Sequence, residues 1–94
     1  MRLIGLNVLQ EFCEKHSDCK SWIENWIADV KAAKWTSLND LKARYPSASI
    51  LPQNVVIFNV KGNSYRLSVQ VAVNVQIVAV KWIGTHSEYS RKNF

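Results

Sequence analysis

Apolar residues recur along the chain at two different periods, and the change from one to the other falls near residue 54. Before it the spacing is three and four. Cys19, Trp22, Ile23, Trp26, Ile27, Val30 and Ala33 form one stripe, which predicts an amphipathic helix whose marked side faces a core. Trp22 and Trp26 could stack on nucleobases, but aromatics at helical spacing among Ile and Val are far more often packing residues. Asn7 followed by Gln10 has the spacing of a capping box and predicts an earlier helix from about Val8 to Lys15, with Ser17 expected to cap the striped one. Ser37 and Asp40 repeat the signature for a short third helix, Leu38 to Arg44, which must end near Tyr45 because Pro46 disfavours helical backbone before it. Arg2 to Ile4 reads as an edge strand, and residues 46–53 as loop.

Beyond residue 54 the texture is β-branched and alternating. Asn54–Val60, Tyr65–Val73 and Val75–Ile83 read as three strands joined by short turns, an antiparallel meander in which Gly62 and Asn63 supply residues that tolerate positive φ. Helices followed by a meander predict an α+β domain of the order β-α-α-(α)-β-β-β, with the helices covering one face of the sheet and the other face left for function. At 94 residues there is room for one core, so residues 1–94 are expected to form a single domain. Period two puts Tyr65, Leu67, Val69 and Val71 on the core side and Arg66, Ser68 and Gln70 on the other. Asn59 and Lys61 share a face on the preceding strand, and the hairpin brings that end toward Arg66, where Lys81 of the last strand can join.

Charge sharpens this picture. Residues 1–30 carry three basic groups against five carboxylates, whereas residues 31–94 carry nine against two. Between Leu41 and Ser87 there is no carboxylate, so the cations of the sheet are expected to project a field that attracts phosphate. A basic surface that serves only solubility would look the same by this measure. No apolar run is long enough to span a bilayer, since Val71–Val80 is broken by Asn74 and Gln76. The first residues also lack the pattern of a secretion signal, so the expected location is cytoplasmic. Cys13 and Cys19, with no histidine–cysteine cluster around them, read as packed reduced thiols.

Candidate chemistry gathers in Gly84-Thr85-His86-Ser87-Glu88-Tyr89. In a helical turn His86 and Tyr89 lie on one side, and both can exchange protons. Cutting RNA by attack of its own 2′-OH needs a base, an acid and cations for the developing phosphorane charge. His86, Tyr89, Arg66 and Lys61 are groups of those types, and no metal or other cofactor is expected. A surface histidine without a role is nevertheless commoner than a catalytic one, and His16 is read that way.

The segments from Trp35 to Ser49, Val56-Ile57-Phe58-Asn59-Val60-Lys61-Gly62-Asn63-Ser64-Tyr65-Arg66-Leu67, Gln76-Ile77-Val78 and Gly84 to Tyr89 resemble, in order, the HigB family of toxins from type II toxin-antitoxin modules. The resemblance implies a RelE/ParE-like fold, cleavage of messenger RNA on the translating ribosome, and inhibition by a HigA-like antitoxin with a helix-turn-helix domain. It implies that Arg66 stabilises the phosphate and that His86 with Tyr89 does acid/base work or orients the nucleotide. Lys61 would be a further phosphate contact. Asn59, Asn63 and Lys81 join the RNA-binding set, and Lys34, Lys42 and Arg44 are expected to dock on ribosomal RNA. The sequence departs from the pattern at Ser90, where the family carries Asp; Glu88 is the nearby carboxylate that could replace it. The alternative is a binding module of the same fold without nuclease activity.

Overall fold

The striped helix and its neighbours need an apolar surface to cover, and the β-branched strands provide it. In a computed structural model that describes residues 1–92, the elements are β1 (Arg2–Ile4), α1 (Leu6–Lys15), a 3-10 turn (Ser17–Cys19), α2 (Lys20–Ala32), α3 (Leu38–Arg44), β2 (Ser49–Leu51), β3 (Val55–Val60), β4 (Tyr65–Ala72), β5 (Ile77–Thr85) and α4 (His86–Ser90). The fold is α+β. Five strands lie in the order β1-β5-β4-β3-β2, and the three N-terminal helices pack on one face. Leu9, Ile23, Trp26, Val30 and Leu41 from the helices meet Val56, Phe58, Leu67, Val69 and Val78 from the strands in one cluster. The Trp26 and Phe58 rings cross edge to face at 5.4 Å.

Several local expectations are corrected. The first helix starts earlier than residues 7 and 10 imply: its N-cap is Gly5, at φ +88°, with no side-chain cap. A side chain at Gly5 would collide with β5, its Cβ lying 2.8 Å from the Val80 carbonyl oxygen, so tertiary packing sets this end. Ser17 opens a 3-10 turn and caps nothing, and α2 begins at Lys20. Ser37 does cap α3, accepting from the Asp40 N–H at 3.3 Å. Residues 49–51, read as loop, pair with β3 as a short edge strand.

The sheet also departs from a pure meander, because β1 runs parallel to β5, Leu3 opposite Val78. Residues 73–75 form a 3-10 turn and Gln76 takes φ +58°, which delays β5 to Ile77. The β3–β4 turn places positive φ on Lys61 (+50°) and Gly62 (+69°), one residue before the expected pair Gly62 and Asn63. In β5 a bulge leaves Lys81 without a cross-strand partner, since Ser68 faces Trp82 and Val69 faces Val80.

The face opposite the helices is not bare sheet. Ser68 and Ile57, paired across β3 and β4, are each 2% exposed although both lie outside the helix-side cluster. Trp82 is the cross-strand neighbour of Ser68, and α4 contacts β4 and β5. An apolar side chain on that face needs cover, and the last elements supply it. Among the described residues, no helix is long and apolar enough to cross a membrane.

Candidate functional site

The chain turns from β5 into α4 through a capping box: Thr85 Oγ1 accepts from the Glu88 N–H at 3.1 Å, and the Thr85 N–H donates to Glu88 Oε1 at 2.8 Å. The Thr85 backbone N–H, seconded by the Thr85 side chain, holds the Glu88 carboxyl below its ordinary range. That carboxylate accepts from the Thr85 backbone N–H and so is anchored at the start of α4. Ser90 donates to the His86 carbonyl at 3.0 Å.

This corner brings together much of the expected set. Arg66 on β4 lies between Asn59 of β3 and Gly84 of β5, so all three share one face. Its Nη1 donates to the Asn63 and Tyr65 carbonyls, each at 3.2 Å, and its guanidinium carbon stands 5.9 Å from the centre of the Tyr89 ring. His86 begins α4 with its N–H donating to the Ser64 carbonyl at 3.2 Å, and its side chain is exposed. Arg66, Asn59, Asn63, His86 and Tyr89 therefore converge on the end of the sheet where the β3–β4 turn meets α4.

Lys61 goes elsewhere. Its left-handed backbone ends the strand at Val60, and its ammonium donates to Asp18 Oδ2 at 3.3 Å on the helical side. Tyr65, buried in the core, donates to Asp18 Oδ1 at 2.7 Å. The Tyr65 hydrogen bond, seconded by Lys61, holds the Asp18 carboxyl below its usual value, and the same bond pushes the Tyr65 hydroxyl up from 10.0 to about 12. The sign follows from linkage. A donor whose folded pKa is raised stabilises the fold below about pH 10 and loses that contribution as pH climbs to about 12. Asp18 contributes above about pH 3.8 and loses its contribution as pH falls. Tyr65→Phe should therefore narrow its stability deficit against the unsubstituted protein between pH 10 and 12, as read by chemical denaturation. A deficit that stays constant through that window would contradict the shared bond.

Lys34, Lys42, Arg44 and Lys81 do not join the corner. Arg44 pairs with Asp29 of α2 and lies over the Tyr45 ring at 4.9 Å, and Lys42 donates to the Ala48 carbonyl, so both serve the helical side. Lys34 is exposed after α2, and Lys81 is exposed at the bulge. Cys19 is buried, which raises its thiol to about 11, and it donates to the His16 carbonyl. A cleft of about 530 Å3 opens between α1 and α2, lined by Leu9, Cys13, Ile23 and Ile27, away from the cationic corner. Among the described residues, no three His, Cys, Asp or Glu side chains cluster as metal ligands would.

Two groups escaped sequence reasoning. His16 stacks on Phe12 at 4.3 Å and meets the edge of Tyr65 at 5.3 Å, so its ring packs beside the Asp18 network. Trp82 lies on the Arg66 face, its ring 6.5 Å from that of Tyr89, with the Lys92 ammonium 5.1 Å from its centre. The signal for Trp82 was available in period two along β5, but the bulge at Lys81 inverts the faces beyond it.

Compared with known proteins, residues 19–92 match the family model of the HigB toxin, the RelE-like toxic component of a toxin-antitoxin system. No curated protein matches the chain.

Proposed function

Because the chain belongs to the HigB family of RelE-like toxins, and such a toxin implies an antitoxin partner, we propose that it is an endoribonuclease that cuts messenger RNA on the translating ribosome in the cytoplasm. The observation that carries this reading is the guanidinium of Arg66 held against Tyr89, with His86 one helical turn before it, on the side of the sheet remote from the N-terminal helices. Two backbone carbonyls grip Arg66 through Nη1, which leaves the outer part of its fork to meet two phosphate oxygens.

In the proposed reaction a base removes the proton of a ribose 2′-OH and the 2′ oxygen attacks the adjacent phosphorus. The bond from phosphorus to the 5′ oxygen breaks, and an acid protonates the leaving oxygen. The products are a 2′,3′-cyclic phosphate and a 5′-hydroxyl end. His86 and Tyr89 share the proton transfers, and Arg66 neutralises the phosphorane. Asn59 and Asn63 line the approach. Lys61 meets phosphate only by exchanging Asp18 for it. Lys34, Lys42 and Arg44, on the opposite side, are suited to ribosomal RNA behind the toxin, with Lys81 at the sheet, while the Arg66 side addresses the message. The expected antitoxin is HigA-like, with a helix-turn-helix domain.

Inducing the chain alone, with 5′ ends of cellular RNA mapped with and without a translation inhibitor, tests the reading. New ends within translated messages that vanish under the inhibitor are expected. Arrested cells with intact RNA would favour the non-nuclease alternative. Ribosome binding should also weaken steeply with salt, since each phosphate contact releases counterions; sedimentation between roughly 50 and 200 mM salt reads this directly.

A further inference from the structure

We propose that Asp18 is a positioning residue for the cleavage reaction, its carboxylate clasping both ends of the β3–β4 turn that holds Arg66 and the start of α4. This rests on the ribonuclease reading and adds a residue to it. Asp18 Oδ2 accepts from the Lys61 ammonium at 3.3 Å, and Oδ1 accepts from the Tyr65 hydroxyl at 2.7 Å. Lys61 is the first residue after β3 and Tyr65 the first of β4, so the two limits of the turn meet on one side chain. The carbonyls that serve the site come from the segment so enclosed. Those of Asn63 and Tyr65 accept from Arg66 Nη1, each at 3.2 Å, and that of Ser64 accepts from the His86 N–H at 3.2 Å. The turn does little to fix itself. Its Ser64 N–H reaches the Lys61 carbonyl at 3.4 Å, and a Cβ on Gly62 would meet nothing within 4 Å, so packing does not steady the tip.

A clasp needs a fixed base, and Asp18 has one. It sits in the 3-10 turn Ser17–Cys19, where buried Cys19 donates to the His16 carbonyl through its N–H at 3.3 Å and its thiol at 3.2 Å. The His16 ring stacks on Phe12 and meets the edge of Tyr65, so the segment carrying Asp18 packs on the ring whose hydroxyl it accepts. The half-exposed pair with Lys61 contributes little to the stability of the fold. Its effect is on placement, where an error of about 1 Å at a reacting group costs as much as about 10²-fold in rate. An amide in place of the carboxylate has one acceptor oxygen for two donors, so one end of the turn comes loose. Exchange of Asp18 for phosphate is the competing fate of Lys61, and it carries the opposite sign: losing the carboxylate would then free the ammonium and speed cleavage.

Single-turnover cleavage of a defined message on ribosomes, with the protein titrated to saturation, separates rate from affinity. D18N should lower the saturating rate about tenfold or more and leave the half-saturating concentration within about twofold, because Asp18 acts through the turn and not on the RNA. K61Q should lose rate in the same way but less, since the Tyr65 arm remains, and K61R, which keeps the pair, should stay close to the unsubstituted protein. The double variant D18N/K61Q should be no slower than D18N. Thermal unfolding is the control; should D18N fold poorly, K61Q, at an exposed position, decides alone by whether rate or affinity falls. Folded D18N that cleaves as fast as the unsubstituted protein or faster, K61Q that loses affinity or nothing, or losses that multiply in the double variant would each overturn the clasp while the ribonuclease reading stands. If the unsubstituted protein cuts no message, the underlying reading fails first and takes the clasp with it, and that outcome is distinct.

Discussion

Alanine at Arg66 is expected to lower message cleavage on ribosomes by about 10²–10³-fold, the cost of removing one preorganised donor from a developing oxyanion. The side chain is held by carbonyls at 3.2 Å and by the Tyr89 ring, so its fork is already oriented when phosphate arrives. These contacts lie at the end of the central strand β4 and outside the core cluster. Stability should therefore change by no more than about 0.5 kcal/mol, as for surface positions generally. Arg66→Lys should recover only part of the rate, because an ammonium offers a point charge where the fork offers two parallel donors. Single-turnover kinetics on programmed ribosomes, with thermal unfolding as the control, check both statements. Unchanged cleavage in the folded alanine variant would remove Arg66 from the chemistry.

The second large effect is on stability. Trp26 is 1% exposed at the centre of the cluster, against Phe58. Truncation to alanine should cost about 3–5 kcal/mol from lost transfer energy and the cavity left behind. For a domain of this size each kcal/mol is worth roughly 4–8 °C in the melting midpoint. The Trp26 Nε1 atom is buried without a hydrogen-bond partner among the described residues, a state that costs roughly 1–3 kcal/mol. Both Trp26→Phe and Trp26→Ala relieve that stranded N–H, but Trp26→Phe should lose far less because its ring still fills most of the space. Thermal unfolding of the two variants reads the difference, and equal losses would contradict a cost set by the cavity that alanine leaves.

Where side-chain period alone decides structure, the chain could be read directly. The stripe from Cys19 to Val30 became the core face of α2, and the alternation through Tyr65–Val71 put Arg66 on the side away from the helices. Expectations failed where distant packing decides. The start of α1 answers to the close approach of Gly5 to β5, and the parallel pairing of β1 joins segments some 75 residues apart, which no local pattern reports. The bulge at Lys81 has the same character, and it concealed which face Trp82 would occupy. In the candidate site, the approach of Arg66 to Tyr89 was visible because β4 and β5 are consecutive paired strands and α4 follows β5 directly. The partnership of Lys61 with Asp18 spans 43 residues and was not. Thr85 and Glu88, by contrast, carried a capping-box spacing that predicts α4 and went unread.

The central claim is that the message is cut by its own 2′-OH under Arg66, His86 and Tyr89. The most direct measurement compares two ribosome-bound messages, one all-ribose and one with a single 2′-deoxynucleotide 5′ of the mapped cut. The account predicts that the all-ribose message is cleaved to a 5′-hydroxyl fragment and that the substituted one stays intact at that linkage. Cleavage of both at equal rates, or a 5′-phosphate on the product, would contradict it.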